Sequence, residues 1–176
     1  MNTKDFNNLI RRISQKDKAA LEVIYKEYGA TIKLIGYQVT GDRHYAEDVL
    51  NEILIELWNK AVTFSYIKSP NVWMYRFAKY IAIDFYRTKI KKHKEVVSID
   101  NLTIEPQSYI SVFSEIEFLD KLRDLGDMSR EIIIMKIQFD FTFKEIAKHL
   151  KTPQGTVAWK YRNAMQRLKE AENKKN

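Results

Sequence analysis

Near the C-terminus, residues that can contact nucleic acid recur at helical spacing: Thr156, Trp159, Lys160, Asn163 and Arg167. Steps of three and four residues place such side chains on one stripe of a helix. In the major groove of duplex DNA, Lys and Arg hydrogen-bond guanine, Asn hydrogen-bonds adenine, and apolar groups contact the thymine methyl. The stripe therefore predicts the reading of duplex DNA, and the alternative interpretation is an ordinary helical hairpin whose charged face is solvated.

A second candidate surface is acidic. Glu47, Asp48, Glu52 and Glu56 fall on the polar face of a predicted helix, and the last three follow one another at four-residue steps. Like charges at that spacing oppose helix formation by roughly a few tenths of a kcal/mol per pair. Two interpretations stay open: a solvated stripe that is tolerated because the opposite face is buried, or a docking face for a basic protein surface. DNA is excluded as its partner, because both surfaces are negatively charged.

The next predicted helix and the loop before it carry the opposite charge, with cations interleaved among aromatic residues. The set comprises Arg76, Lys79, Arg87, Lys89, Lys91 and Lys92 with Tyr75, Tyr80 and Tyr86 in the helix, and Phe64, Tyr66 and Lys68 in the loop. Cations beside rings on which bases can stack are typical of single-strand binding, where each stack contributes about 1–3 kcal/mol. We expect Phe77 and Phe85 to be buried and Tyr66, Tyr80 and Tyr86 to lie at the surface.

Other kinds of chemistry are not indicated. The chain has no cysteine, and His44, His93 and His149 are widely separated without the spacing of metal ligands. There is no glycine-rich phosphate loop, so we predict no catalytic residue, no metal site and no cofactor. The net charge of +7 suits a polyanionic partner. No apolar run approaches the about 18 residues of a membrane span, and we expect a cytoplasmic protein without membrane insertion.

The elements that must position these residues are helices. Apolar residues recur at helical spacing from Phe6 to Tyr37, with a polar break at residues 14–18. Asp42 is a predicted N-cap for a helix that runs to about Lys60, and residues 61–69 read as a loop. Ser69 followed by Pro70 predicts the start of a long helix that ends near Lys92.

After residue 92 the periodicity fails until Ser114, where a helical pattern resumes. Thr142 and Glu145 form a predicted capping box, and the helix that they start stops at the turn of residues 151–153. We expect Thr152 to cap the following helix and Pro153 to open it. That helix has its predicted core stripe at Val157, Tyr161, Ala164 and Leu168. A short helix, a tight turn and a second helix with a basic outward face predict a helix-turn-helix.

The predicted fold class is therefore all-α, with two small helical domains joined by a flexible linker. The N-terminal helical bundle spans residues 1–92 and the linker residues 93–113. The C-terminal helix-turn-helix bundle spans residues 114–172, and residues 173–176 form a polar tail.

Three motifs, in this order and spacing, resemble the extracytoplasmic-function (ECF) sigma factors of bacterial RNA polymerase, in the sigma-70 family. They are residues 46–52 followed by Trp58, residues 73–78 with Asp84 and Arg87, and residues 143–147 with Gly155-Thr156-Val157 and Arg167-Leu168. The resemblance implies a sigma factor that docks on core polymerase, helps to melt promoter DNA and directs initiation of transcription. It also implies an anti-sigma factor as a further partner, and no enzymatic activity.

The resemblance assigns a role to each surface. It implies that the clamp helices of the polymerase largest subunit bind Glu47, Asp48, Asn51 and Glu52. It implies that the minus-ten element, duplex and melted, is contacted by Tyr66, Lys68, Arg76, Lys79, Tyr80 and Arg87. It implies that the minus-thirty-five duplex is contacted by Thr156, Trp159, Lys160, Asn163 and Arg167.

The sequence departs from the family pattern at two places. Tyr80 stands where many relatives carry an asparagine, so stacking is expected to replace that base contact. Leu125-Gly126 stands where a leucine-proline pair is usual, which should loosen the start of a helix without changing its function. The rival hypotheses are a stand-alone helix-turn-helix transcriptional regulator and a module that binds only proteins.

Overall fold

The computed structural model describes residues 1–91, residue 122 and residues 125–173. Within these ranges the regular structure is helical and no strand occurs, which confirms the predicted all-α class. The chain divides into two compact units, Met1–Ile116 and Glu117–Asn176. The predicted linker, residues 93–113, lies outside the described residues, and the predicted domain boundaries stay predictions.

Four α-helices are described in the N-terminal unit: α1 (Thr3–Ser14), α2 (Lys18–Thr40), α3 (Arg43–Lys60) and α4 (Pro70–Phe85). A 3-10 turn at Ala61–Thr63 follows α3, and α4 continues into a π-helical segment at Tyr86–Lys91. Three α-helices are described in the C-terminal unit: α5 (Asp127–Ile137), α6 (Phe143–Leu150) and α7 (Gln154–Asn173).

Aspartate side chains cap the starts of the second and third helices. Asp17 accepts hydrogen bonds from the amides of Ala19 and Ala20 at the start of α2, and Asp42 accepts from His44 and Tyr45 at the start of α3. Both carboxylates satisfy amides that have no partner within the helix. Gly41, with φ of 73°, ends α2 in the left-handed conformation that favours glycine. The predicted helical pair and the predicted Asp42 cap are confirmed.

Helix α2 is the centre of the N-terminal unit, because it packs against α1, α3 and α4. The core is apolar and includes the fully buried side chains of Phe6, Ile24, Ile32, Leu50, Ile53, Leu57 and Tyr75. Burial of a large apolar side chain contributes about 1.5–3 kcal/mol, so this shared core holds the surfaces of α3 and α4 in one rigid unit.

Gly36 lets α2 and α3 approach closely. A Cβ atom at this position would lie 3.0 Å from the Cα of Ala46 and 3.2 Å from its carbonyl oxygen, both backbone atoms. We expect Gly36→Ala to lower the free energy of unfolding by about 1–3 kcal/mol through overpacking, measured by urea titration followed by circular dichroism. The matched control is Gly29→Ala in the same helix, where the nearest atom is Tyr25 Cδ2 at 3.4 Å. That change should stabilise the helix by up to about 1 kcal/mol, and equal losses for both variants would contradict the prediction.

The start and the end of α4 differ from the sequence expectation. Pro70 is the first residue as predicted, but the Ser69 side chain makes no capping hydrogen bond. The Ser69 carbonyl accepts the first helical hydrogen bond, from the amide of Trp73 at 2.9 Å, and Pro70 reduces by one the helix-start amides that need a partner. The predicted helix to Lys92 is regular α-helix only to Phe85. Thr88 then donates to the Asp84 carbonyl at 2.8 Å within the widened π-helical segment.

The C-terminal unit contains the predicted capping box. The Thr142 hydroxyl accepts from the Glu145 amide at 3.2 Å, and the Glu145 carboxylate accepts from the Thr142 amide at 2.8 Å. Helix α6 ends at Leu150, and its C-cap Lys151 has a positive φ of 51°. Helix α7 begins at Gln154, so Pro153 precedes the helix rather than opening it, and Thr152 lies one residue too early to be its N-cap. The Thr152 hydroxyl donates to the Leu150 carbonyl at 3.1 Å.

Buried side chains and one ring contact hold α7 against its neighbours. Val157 and Ala164 are buried, whereas Tyr161 and Leu168, also predicted in the core stripe, are half-buried. The ring of Tyr161 meets Phe143 edge-on with centroids 5.4 Å apart. Ile132, Ile133, Ile134 and Met135 of α5 are fully buried. The helix, three-residue turn and helix of a helix-turn-helix are therefore present.

Gly126 lies at the N-cap of α5 and makes no side-chain cap. Arg130 ties the preceding turn to the helix, since its guanidinium donates to the carbonyls of Leu122 at 3.2 Å and Leu125 at 3.0 Å. None of the described helices is long and apolar enough to cross a membrane.

Candidate nucleic-acid interface

The acidic ridge consists of Glu47, Asp48, Asn51 and Glu52 on α3. Asp48 and Asn51 are exposed at its centre. At the edges, Glu47 pairs with Lys33 of α2, and Glu52 pairs with Lys89 of the π-helical segment at 3.1 Å. The ridge is therefore tied to both neighbouring elements, while its centre presents a carboxylate and an amide to solvent.

Ile55 is a residue of this surface that the sequence analysis missed. It lies one turn beyond Asn51 and its side chain is 54% exposed. A single exposed apolar side chain is common on protein surfaces, so Ile55 adds apolar area to the ridge without by itself marking a binding site. The signal was available, because Ile55 interrupts the polar face at the helical spacing from Asn51.

An apolar groove borders the ridge between the start of α2 and the end of α3. It is lined by Leu21 and Tyr25 from α2 and by Leu54 and Trp58 from α3, with Lys18 and Glu22 also contributing. Lys16 closes one side, since its ammonium donates to the Trp58 carbonyl at 2.8 Å and lies 5.0 Å from the centre of the Trp58 ring.

The loop of residues 64–69 turns one side chain inward between two exposed neighbours. Tyr66 is 68% exposed and Lys68 is exposed, while Ile67 between them is only 6% exposed. The predicted base-contacting residues of the loop therefore lie on its outer side.

The exposed face of α4 carries Arg76 and Tyr80, which is 72% exposed. Arg87 is exposed in the π-helical segment. Lys79 is half-buried, and its ammonium donates to the hydroxyl of Tyr75 at 3.2 Å. Tyr75 itself is fully buried. It therefore has no ring face for a base, although its spacing among the cations had placed it with the candidate stacking residues.

Three half-buried rings join the loop to α4. Trp73 and Phe77 are stacked with centroids 4.8 Å apart, and Phe64 meets them edge-on at 4.9 and 5.6 Å. The expectation that Phe77 is buried is thus met only in part, because the ring lies at the rim of the core. Phe85 is buried as predicted. Tyr66 and Tyr80 are exposed as predicted, whereas Tyr86 is half-buried.

Tyr28 fixes the start of α4, since its hydroxyl donates to Asn71 Oδ1 at 2.9 Å. Burial, followed by the nearby Glu27 carboxylate, raises the pKa of Tyr28 from its ordinary value of 10.0 to about 12. The folded protein therefore holds this proton more tightly than the unfolded chain does. The resulting stabilisation is complete below pH 10 and is lost as the pH rises towards 12.

We expect the free energy of unfolding to fall more steeply across that alkaline window in the wild type than in Tyr28→Phe. The substitution removes the titrating group but leaves the other tyrosines and lysines as a common background. Urea titrations of both proteins at several pH values measure the difference. Parallel pH profiles would show that Tyr28 has no raised pKa.

The stripe on α7 is exposed over most of its length. Thr156, Asn163 and Arg167 are exposed, and Trp159 is 56% exposed. Lys160 is half-buried, with its ammonium 6.0 Å from the centre of the Trp159 ring. The first turns and the last turns of the helix therefore present an aromatic ring, a hydroxyl, an amide and a guanidinium along one side.

No cluster that could hold a metal ion occurs among the residues with described side chains. His44 and His149 belong to different units, and His93 lies outside the described residues. The candidate site comprises three surfaces: an acidic ridge, a basic and aromatic loop-helix surface, and the stripe on α7.

Comparison with known proteins gives these surfaces a family context. The family model for Sigma-70 region 2 matches residues 24–91, from α2 through the π-helical segment. The chain is 24% identical over 174 residues to the ECF RNA polymerase sigma factor SigK of Mycobacterium tuberculosis (strain ATCC 25618 / H37Rv), covering 95% of this chain and 93% of SigK. It is 26% identical over 161 residues to the ECF RNA polymerase sigma factor SigW of Bacillus subtilis (strain 168), covering 84% and 86%.

Two solved structures share the fold. CnrH, in its complex with the cytosolic domain of CnrY, matches with a TM-score of 0.63 and 14% identity over 98% of this chain and 99% of that one. The sigma factor RpoE of Bartonella quintana, in complex with the anti-sigma factor NepR, matches with a TM-score of 0.51 and 23% identity over 85% and 96%.

Proposed function

We propose that this chain is an ECF RNA polymerase sigma factor of the sigma-70 family and that it directs bacterial core RNA polymerase to specific promoters. The observation that carries the proposal is the presence of an acidic ridge and an exposed basic and aromatic surface on one helical unit. Opposite charges on neighbouring faces suit simultaneous contact with a basic protein surface and with DNA.

The acidic ridge is the proposed docking face for the polymerase clamp helices. Asp48 and Asn51 are exposed at its centre, and Ile55 adds apolar surface that a partner can cover. Interfaces of this kind combine an apolar contact with a polar rim. Glu47 and Glu52 are the proposed charged edges of the interface.

The loop of residues 64–69 and the exposed face of α4 are the proposed minus-ten surface. Tyr66 and Tyr80 offer rings to unpaired bases, and the exposed cations Lys68, Arg76 and Arg87 offer charge to the phosphates. Lys79 contributes positive charge from a position beside Tyr75, rather than a hydrogen bond that reaches outward.

Helix α7 is the proposed reading helix for the minus-thirty-five duplex. Its exposed Asn163 and Arg167 have the donor and acceptor groups that read adenine and guanine, and Trp159 supports apolar contact. In this proposal residues 1–92 and 114–172 act as two promoter-binding domains joined by residues 93–113.

We propose no catalytic activity for the chain itself, since its surfaces bind and the polymerase makes the RNA. The proposed location is the cytoplasm, where the polymerase acts, and an anti-sigma factor is the proposed regulator. Related folds are found in sigma factor complexes such as RpoE with NepR.

Transcription in vitro tests the proposal. Purified core polymerase is combined with this chain on a promoter pool that contains the upstream regions of its own genome. New start sites, together with co-purification of the chain with core enzyme, are the expected result. If the pool yields no new start sites and the chain does not co-purify with core, the proposal is wrong. A stand-alone regulator would instead bind DNA tightly without polymerase.

Tyr80 provides a direct prediction for the minus-ten surface. We expect Tyr80→Ala to weaken binding of the holoenzyme to a single-stranded minus-ten oligonucleotide about tenfold, because one stack contributes about 1–3 kcal/mol. Tyr80→Phe should retain most of the affinity, since the ring remains. Fluorescence anisotropy measures the binding.

The matched control is Tyr25→Ala, another exposed tyrosine, which lies on α2 outside the basic surface. It should leave oligonucleotide binding unchanged when the comparison uses assembled holoenzyme. Equal losses in Tyr80→Ala and Tyr25→Ala would remove Tyr80 from the DNA surface.

A further inference from the structure

Helix α1 carries no predicted function, and the family match begins only at residue 24. Its side chains nevertheless contact the loop of residues 64–69 at several backbone groups. The side-chain amide nitrogen of Asn7 donates to the Ile67 carbonyl at 2.8 Å, and its amide oxygen accepts from the Ile67 amide at 2.8 Å. The hydroxyl of Thr3 donates to the Lys68 carbonyl at 3.4 Å.

The pair of bonds between Asn7 and Ile67 resembles the pairing of two adjacent strands, with one donor and one acceptor on each side. Asn7 is held in place itself, because the same amide nitrogen donates to the Thr3 carbonyl at 2.8 Å. A loop has few backbone partners of its own, so a side chain that satisfies both polar groups of one residue fixes the local chain. Asn7 is half-buried, which strengthens both bonds relative to solvent.

Aromatic packing adds a second contact between α1 and this surface. Phe6, which is fully buried, meets Trp73 edge-on at 5.8 Å and Tyr28 at 5.9 Å. Trp73 in turn contacts Phe64 at the start of the loop, at 4.9 Å. The loop is therefore held by rings at Phe64 and by hydrogen bonds at Ile67.

We propose that Asn7 is a positioning residue for the minus-ten loop: by pairing with the Ile67 backbone, it holds Tyr66 and Lys68 outward toward the unpaired promoter strand. Ile67 is buried between the exposed Tyr66 and Lys68. Fixing the Ile67 backbone with its side chain inward therefore restricts the directions that both neighbouring side chains can take. The DNA partner in this inference rests on the proposed function. The contact between Asn7 and the Ile67 backbone does not depend on it.

Hydrogen exchange of the Ile67 amide, followed by NMR on the full chain, tests the contact between Asn7 and Ile67. Asn7→Ala removes the acceptor and should speed exchange about tenfold. Asn7→Asp keeps an acceptor oxygen but cannot donate to the Ile67 carbonyl, and we expect a smaller increase. The matched control is Asn8→Ala, the exposed neighbour whose side-chain oxygen accepts from Arg11 at 2.9 Å. Unchanged exchange in Asn7→Ala would overturn the proposal.

A second measurement tests the role in base recognition. Holoenzyme containing each variant binds minus-ten oligonucleotides in which every base is changed in turn. Asn7→Ala and Asn7→Asp should lower base discrimination about fivefold at the positions that Tyr66→Ala affects. They should leave core affinity and duplex binding unchanged.

Adding Asn7→Ala to Tyr66→Ala should lower base discrimination by less than the two single losses together, because both changes act in part through the same ring. Additive losses, or an equal loss of core binding, would show a merely structural role and overturn the proposal. Failure of the wild-type chain to support transcription would overturn the proposed function and this recognition role, while the exchange result would still decide whether Asn7 holds the loop.

Discussion

Asp48→Lys combined with Glu52→Lys is expected to lower the affinity for core RNA polymerase at least about a hundredfold. The change places two cations on a ridge whose proposed partner is basic, and like charges brought together at an interface cost several kcal/mol. Asp48 lies exposed at the centre of the ridge, and Glu52 at its edge pairs with Lys89. Titration of labelled chain with core enzyme, followed by anisotropy, measures the loss.

The same variant should leave duplex binding by α7 intact, because that helix belongs to the other compact unit. The control for net charge is Glu27→Lys combined with Glu170→Lys, which makes the same change in charge away from the ridge. It should assemble with core as the wild type does. If the ridge variant also assembles normally, α3 is not the docking face.

Asn163→Ala combined with Arg167→Ala is expected to lower the affinity of holoenzyme for the minus-thirty-five duplex about a hundredfold. Each base contact of this type contributes about 1–3 kcal/mol of discrimination, and the two residues lie one helical turn apart on the exposed stripe. Discrimination against mutated minus-thirty-five sequences should fall with the affinity. Competition binding with specific and unspecific duplexes measures both quantities.

Lys169→Ala is the matched control for charge. Lys169 is exposed in the same helix, but two residues beyond Arg167, and so lies about 200° around the helix axis. Its loss should change affinity only slightly and equally for all sequences. If Lys169→Ala and the double variant give the same loss with no change in discrimination, α7 contributes only unspecific electrostatic attraction.

The helix starts that could be predicted are those where a side chain completes the local geometry. Asp42 caps α3, and Thr142 with Glu145 forms both halves of the capping box, because these interactions depend on residues within one turn. Ser69 and Thr152 have the right residue types but do not cap. At these two places Pro70 and the turn conformation of Lys151 determine the backbone. Ser69 makes no capping hydrogen bond, and the Thr152 hydroxyl donates to the Leu150 carbonyl.

The face that α4 buries could not be predicted, because apolar residues occupy more than half of its circumference. Phe77 was predicted to be buried, whereas the structure buries Met74 and Tyr75 fully and leaves the rings of Trp73 and Phe77 half-buried. Hydrophobic periodicity cannot orient a helix that is apolar on several sides. Contact with α2 and α3 decides the orientation, and it therefore decides which tyrosines remain exposed.

In the candidate surfaces too, features set by local sequence pattern could be predicted and long-range contacts could not. Exposure of Tyr66, Tyr80 and the α7 stripe follows from local pattern and was predicted. The contact between Asn7 and Ile67 joins residues 60 positions apart, and no local pattern marks it. An asparagine that pairs with a distant backbone looks in the sequence like any other polar residue on a helix.

The close approach at Gly36 also limits how far the acidic ridge can shift relative to the basic and aromatic surface. The acidic ridge belongs to α3 and the basic and aromatic surface to α4, and both helices pack against α2. Since no side chain separates α2 from the Ala46 backbone, there is no compressible layer between them at this point. If polymerase binds the ridge and the opened DNA strand binds the surface of α4, as proposed, this close packing keeps the two contacts at a fixed separation.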